Sequence, residues 1–109
     1  MRAAKKDENH NEIAQFLEKK GFTVLDTSKL GDGFPDMAIS YTMPRSFKKF
    51  AALLEAKMPG EKLNPKQEKV RQRWQGYYVV ATNGQEAYED LCLCMLGLNP
   101  NADTDGELP

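Results

Sequence analysis

The sequence contains few cysteines and no long apolar segment. Its 109 residues include two cysteines, Cys92 and Cys94. In a helix their side chains would diverge, so they cannot form a disulfide framework. No run approaches the roughly 20 apolar residues that cross a bilayer, and the charged start at residues 1–6 is not followed by the apolar run of a signal peptide. These absences predict a cytoplasmic protein without a membrane segment. One domain is expected, because two would need roughly 200 residues.

An excess of basic charge is also absent overall, but the charges are unevenly distributed. The net charge is -1, from fifteen basic and sixteen acidic residues. Residues 86–109 hold six of the acidic residues and no Lys or Arg, which leaves fifteen basic and ten acidic residues in 1–85. Nine basic and three acidic residues lie between positions 45 and 73. This bias is typical of a phosphate-binding surface, although a solvated surface explains a Lys-rich stretch equally well.

Hydrophobic periodicity predicts seven elements in the order αβββαβα. Ile13, Phe16 and Leu17 line one helical stripe, and Asn64 followed by Pro65 is a strong helix start. The predicted elements are a helix over 11–20, strands over 22–25, 36–42 and 50–57, a helix over 65–75, a strand over 77–81, and a last helix after a cap at Thr82 or Asn83. This order predicts an α/β domain with a mixed central sheet flanked by helices, over residues 1–97. Residues 98–109 are expected to be an acidic, disordered tail.

Charged residues interrupt two of the predicted strands. Asp36 follows a Gly-Phe-Pro turn and opens one strand, and Glu55 and Lys57 close the next with a spacing that directs both side chains to the same face. Two converging carboxylates repel each other unless a cation lies between them. Mg²⁺ accepts such oxygen ligands, with the backbone carbonyl of Ala56 as a further donor. A metal ion beside a lysine suits phosphodiester hydrolysis.

The order of these motifs resembles a known nuclease superfamily. Gly33-x-Pro35-Asp36, then Glu55-x-Lys57, then the helix start LNPKQ over 63–67 are similar to the PD-(D/E)xK nucleases. Within that superfamily the arrangement resembles the VRR-Nuc group, the virus-type replication and repair nuclease domains. The similarity extends from about residue 8 to residue 87. A lone Glu-x-Lys triplet would carry almost no information, whereas the motifs in order on suitable elements are specific.

The resemblance implies a restriction-endonuclease-like core and a Mg²⁺- or Mn²⁺-dependent endonuclease. It implies that Asp36 and Glu55 bind the metal, that Lys57 is the catalytic lysine, and that Gln67 and Glu12 complete the site, with Glu12 binding the metal directly or through water. The small stand-alone members resemble homodimeric enzymes that cut branched DNA, particularly four-way (Holliday) junctions, in bacteria and phage-infected cells. A two-fold dimer suits a junction because it presents two symmetric strands.

The basic residues between positions 45 and 73 are the expected DNA contacts. The predicted contact residues are Arg45, Lys48, Lys49, Lys62, Lys66, Lys69, Arg71 and Arg73. They would hold the DNA backbone by charge more than by sequence, so binding should depend strongly on salt. The basic connector over 41–50 is included in this hypothesis, and its fold is left open.

Several of these residues have simpler explanations. Glu12 taken alone is better explained as the third residue of a capping box on Asn9, and Gln67 is equally well explained by reciprocal capping of Asn64. Trp74 is expected to be a core or dimer contact, with base stacking as the less favoured alternative. A solvated surface is expected for His10. Leu93 and Leu96 of the last helix are further candidates for a dimer contact.

Two other functions stay open from the sequence. A non-catalytic DNA-binding or architectural protein would share the basic surface without turnover. A nickase or flap nuclease would share the catalytic residues and differ only in the DNA that it cuts.

Overall fold

The computed structural model describes residues 9–98, which contain three helices and four strands. The elements are α1 (Asn9–Lys19), β1 (Thr23–Asp26), β2 (Met37–Thr42), β3 (Lys49–Ala56), α2 (Pro65–Arg73), β4 (Tyr77–Ala81) and α3 (Gly84–Met95). The predicted order is confirmed, and the boundaries differ from the predicted ones by two residues at most. Apart from Leu98, the tail expected over 98–109 lies outside the described residues.

The four strands form one mixed sheet in the order β1-β2-β3-β4. The pairs β1–β2 and β2–β3 are antiparallel, whereas β4 runs parallel to β3 after the crossover through α2. Met37 pairs with Leu54 in the β2–β3 register. The beginning of β2 and the end of β3 therefore meet at the same end of the sheet, which is where the charged residues of both strands lie.

The hydrophobic core fills the space between the sheet and the helix pair α1 and α3. Alternate residues of β3 enter the core at Phe50, Ala52, Leu54 and Ala56. The intervening Leu53 is only 4% exposed on the opposite face. Burial on both faces explains why this strand is almost continuously apolar in sequence. Within residues 9–98, no helix has the length and apolarity needed to cross a bilayer.

Local interactions differ from the sequence prediction at the start of α1. Asn9 belongs to α1, and its Nδ2 donates to the carbonyls of Lys57 at 2.9 Å and Thr82 at 2.8 Å. Its Oδ1 accepts no hydrogen bond within the described residues. The predicted capping role of Asn9 is therefore wrong, because the side chain instead joins α1 to the chain just beyond β3 and β4.

The solvated surface expected for His10 and the core position expected for Trp74 are wrong, whereas a dimer contact of Trp74 stays a prediction. His10 is 3% exposed instead of solvated, with its Nε2 3.8 Å from a carboxylate oxygen of Asp26. Trp74 is not a core residue, since it is 41% exposed. The helix α2 ends at Arg73, so Trp74 adopts an extended conformation and leaves the helical stripe on which the core prediction depended.

Candidate metal-dependent catalytic site

The sheet brings Asp36, Glu55 and Lys57 together at one end. Asp36 immediately precedes β2, and its Oδ2 accepts a hydrogen bond from the backbone N–H of Ala56 at 2.9 Å. The Lys57 Nζ lies 3.6 Å from the Glu55 Oε2. Glu55 and Lys57 are 3% and 7% exposed. The antiparallel β2–β3 pairing thus juxtaposes side chains that are about twenty residues apart in sequence.

Gln67 connects helix α2 to this cluster. Its backbone N–H donates to the Asn64 Oδ1, and its Oε1 accepts from the Asn64 N–H, each at 2.9 Å, which completes a capping box. The remaining donor, Nε2, lies 3.1 Å from the Glu55 Oε2. The capping explanation of Gln67 is therefore confirmed, and the same side chain also contacts Glu55.

The ionised form of Glu55 is unfavourable, because the protein only partly compensates a charge at this buried position. Burial, followed by the nearby carboxylate of Asp36, raises the pKa of Glu55 to about 8, and the Lys57 ammonium opposes this shift. The Glu55 Oε1 is buried and has no hydrogen-bond partner among the described residues. An unpartnered carboxylate oxygen facing a second carboxylate is an arrangement that a cation would stabilise.

The donor atoms fit Mg²⁺ or Mn²⁺. Asp36 and Glu55 supply carboxylate oxygens, and the further donor predicted from the sequence, the carbonyl of Ala56, belongs to a fully buried residue between Glu55 and Lys57. Within residues 9–98 no cluster of three or more His, Cys, Asp or Glu side chains is found. A site with two protein carboxylates suits Mg²⁺, which usually retains several water ligands and is held by one or two carboxylates together with substrate phosphates.

These residues line an open cavity of about 290 Å³. The lining includes Ser28, Gly31, Gly33, Phe34, Asp36, Glu55, Lys57, Glu61, Asn64, Lys66 and Gln67. Polar and charged side chains predominate, as expected for a site that binds a phosphate and a cation. Lys66 is the predicted DNA contact that belongs to this lining.

Glu61 is a cavity residue that the sequence analysis missed. Its Oε2 lies 3.9 Å from the Lys57 Nζ, and its Oε1 accepts from the Met58 N–H at 2.9 Å. Lys57 is thus held between two carboxylates, Glu55 and Glu61. The spacing of four residues from Lys57 is a signal in the sequence, but it has meaning only once the loop after β3 is known to fold back.

Gly33 sets the distance between the turn before Asp36 and helix α2. Its φ is +84°, and a Cβ there would lie 2.5 Å from the carbonyl carbon and oxygen of Lys66. The turn is also held by Thr27, whose Oγ1 donates to the Pro35 carbonyl at 2.7 Å. Only glycine permits this approach, so the Gly-Phe-Pro-Asp turn places Asp36 and α2 around the same cavity.

Glu12 does not line this cavity. The structure places it at the beginning of α3, where its Oε1 accepts the backbone N–H of Gly84 at 2.8 Å. The capping box on Asn9, which was the simpler explanation, is wrong. Glu12 instead satisfies a free N–H group of another helix, and its negative charge suits that positive end.

The predicted DNA contacts form two groups. The α2 group contains Lys62, Lys66, Lys69, Arg71 and Arg73, near the cavity, and the hairpin group contains Arg45, Lys48 and Lys49. The connector between β2 and β3 is a β-hairpin turn, closed by hydrogen bonds from the Met43 N–H to the Lys48 carbonyl and from the Phe47 N–H to the Met43 carbonyl. It lies at the opposite end of β3 from Glu55, roughly 20 Å away at 3.3 Å per residue. Arg71 differs from the others because it forms a salt bridge with Glu68.

Tyr78 is a second buried residue that the sequence did not single out. It is 3% exposed, and its hydroxyl has no hydrogen-bond partner within the described part of the chain. Burial, with the carboxylates of Glu55 and Asp36, raises the pKa of its phenol. The phenol therefore stays protonated near the acidic pair.

The description of the site depends only on the geometry of the described residues. A scan against models of protein families, a search of curated proteins and a search of solved structures each found no match to the chain.

Proposed function

We propose that this protein is a metal-dependent nuclease that hydrolyses DNA phosphodiester bonds. The observation that carries the proposal is the convergence of Asp36, Glu55 and Lys57 in one cavity, with a buried Glu55 oxygen that has no partner. A structural ion pair would be expected to satisfy both carboxylate oxygens. Here one oxygen of Glu55 is buried without a partner, and the carboxylate of Asp36 lies nearby, which supports a role in holding a cation.

The proposal assigns separate tasks to the residues that hold the metal ion, orient the water and fix the two carboxylates. A bound Mg²⁺ would polarise the phosphate and lower the pKa of an attacking water. Lys57, positioned by Glu55 and Glu61, orients that water or neutralises charge that develops on the phosphate oxygens. Gln67 and the Ala56 N–H hold the two carboxylates in place through hydrogen bonds.

Branched DNA is the proposed substrate, cut by a homodimer. Support for this finer assignment comes from the motif resemblance and from the basic surface. A four-way junction offers two symmetric strands, and residues 9–98 bring Asp36, Glu55 and Lys57 together in a single cavity, so two chains would supply one cavity for each strand. The exposed Leu93 and Leu96 of α3 remain candidates for the dimer contact. A nickase or flap nuclease would use the same catalytic residues.

Cleavage assays with variant proteins test the proposal. Labelled four-way, flap, nicked and linear DNA would be incubated with Mg²⁺, Mn²⁺ or EDTA. Wild type should cut only with a metal ion, and Asp36→Ala and Lys57→Ala should each reduce cleavage by about 100-fold or more while junction binding persists. Lys19→Ala, an exposed lysine outside the cavity, is the matched control and should cut like wild type.

Two outcomes of the same assay would contradict parts of the proposal. Binding without any product, with or without a metal ion, would exclude the nuclease and favour an architectural DNA-binding protein. Equal cutting of all four substrates would exclude the preference for junctions and leave the nuclease activity intact.

A further inference from the structure

An apolar groove with a basic rim adjoins the candidate catalytic cavity. We call it the α2 groove. It consists of two adjoining depressions that share Val70 and Arg73: Phe34 and Trp74 complete the lining of one, and Asp32, Lys66 and Lys69 complete the lining of the other. Phe34 and Lys66 also line the catalytic cavity, so the groove and the cavity are neighbours.

Trp74 is held in a defined orientation in this groove. It follows the last residue of α2 with φ -75° and ψ 127°, and its Nε1 donates to the Tyr77 carbonyl at 3.0 Å. The ring lies so close to Gly76 that a Cβ there would be 2.8 Å from the Nε1. The residue is nevertheless 41% exposed. Its indole is thus fixed by contacts at one edge, which reduces the entropy lost when a partner stacks on it.

The rim of the groove carries cations that are available to a ligand. Lys66, Lys69 and Arg73 are exposed, and no ion pair is seen for them within residues 9–98. Asp32 is the one acidic residue that lines the same region. An exposed aromatic ring beside two lysines and one arginine complements a nucleotide, which has a flat base and a negative phosphate.

We propose that the α2 groove binds an unpaired nucleotide next to the phosphate that is cut, with its base stacked on Trp74 and its phosphates near Lys69 and Arg73. The catalytic part of this statement rests on the proposed nuclease function. A base inside a duplex is already stacked on both faces, so an indole fixed in a groove is available only to a base that has left the stack. The preferred substrate would then contain single-stranded or splayed nucleotides, as at a branch point or flap.

Fluorescence offers a direct test, because Trp74 is the only tryptophan of the chain. Wild-type protein in EDTA, which prevents cleavage, would be titrated with a single-stranded oligonucleotide, with a strand of the same length built from abasic sites, and with a blunt duplex. Stacking should quench the fluorescence with the normal strand and much less with the other two. Equal quenching by the abasic strand, or no quenching by the normal strand, would overturn the proposal.

Binding by variant proteins tests the same point without using tryptophan emission. Trp74→Ala should weaken binding of a labelled single strand about 10-fold, since stacking of one base on an aromatic ring has an effect of this order. Trp74→Phe keeps an aromatic ring and should bind within about 3-fold of wild type. Leu25→Ala, an exposed apolar residue of β1, is the control and should leave affinity unchanged. Wild-type affinity in a folded Trp74→Ala protein would contradict the proposal.

The two proposals fail in different ways. Metal-dependent cleavage without quenching, and without any effect of Trp74→Ala, would refute nucleotide binding in the α2 groove and leave the nuclease. Quenching by single strands without cleavage of any DNA would refute the nuclease and support a groove that binds unpaired nucleotides.

Discussion

Glu55 is a carboxylate in a place where its ionisation is unfavourable. Its side chain is buried beside Asp36, and Lys57 and Gln67 satisfy only one of its two oxygens. A purely structural position of this kind would be more stable with an uncharged side chain. The unfavourable ionisation of Glu55 therefore supports the proposal that a cation binds at this position.

The pH dependence of stability tests this reasoning at the residue scale. The pKa of Glu55 is raised to about 8 in the folded protein, so between its ordinary value of 4.5 and about 8 the folded state binds more protons than the unfolded state. The free energy of unfolding of metal-free protein should consequently fall across this range, by up to about 1.4 kcal/mol per pH unit. Urea denaturation in EDTA at several pH values measures it.

Glu55→Gln should remove most of this slope, because the glutamine side chain stays uncharged at every pH in the experiment. Glu61→Gln is the matched control, since the side chain of Glu61 is 44% exposed and its removal should leave the slope in place. A wild-type protein whose stability rises from pH 5 to pH 8 would contradict the buried, uncompensated charge.

At the scale of elements, Glu12 joins two helices. Its carboxylate belongs to α1 but accepts the N–H of Gly84 at the beginning of α3. Glu12→Ala should lower the free energy of unfolding by about 1 kcal/mol, because it leaves that N–H without its partner. Glu12→Gln keeps an oxygen acceptor and should retain most of the stability. Glu18→Ala, on the exposed surface of α1, is the control in the same denaturation experiment.

Cleavage assays on the same variants separate the two explanations of Glu12. If the side chain only stabilises α3, Glu12→Gln should keep its metal-dependent cleavage. A folded Glu12→Gln protein that has lost cleavage would restore the metal-binding role that the motif resemblance implies.

For the whole molecule, the positions of the basic residues set the length of DNA that the proposed binding surface would span. The hairpin group lies at the opposite end of β3 from Glu55, so DNA that reaches both the hairpin and the cavity would span roughly 20 Å of the surface. Replacing Lys48 and Lys49 together by Ala should reduce the slope of log affinity against log salt by about 2. Anisotropy titrations of labelled DNA from low to high salt measure this slope.

A double Lys19→Ala and Lys29→Ala variant, which changes the same charge elsewhere, should leave that slope nearly unchanged. An unaltered slope in the Lys48 and Lys49 variant would show that the hairpin does not contact DNA. The binding surface would then be confined to the α2 group.

Much of the fold could be predicted from local signals in the sequence. Asn64, Pro65 and Gln67 together identify the start of α2, because each residue type satisfies a particular requirement of a helix N-terminus. The apolar run of β3 and its charged end likewise predict a buried strand with Glu55 and Lys57 on one face. These predictions succeed because they depend on residues that are neighbours in the chain.

The contacts of other residues could be known only from the tertiary structure. Neither the contact between Glu12 and Gly84 nor the burial of His10 has a local signal, since each depends on how α1 packs against distant segments. The exposure of Trp74 also has no local signal. Helix α2 ends two residues earlier than predicted, which removes Trp74 from the core stripe.

Patterning and capping act within a few residues, so they were sufficient to predict the order of the elements and the placement of Asp36, Glu55 and Lys57 at strand ends. The packing of distant segments was needed to reveal that Glu61 contacts Lys57, that Gln67 reaches Glu55, and that Trp74 lies in the α2 groove. Such distances depend on chain segments that meet only after the sheet and helices pack.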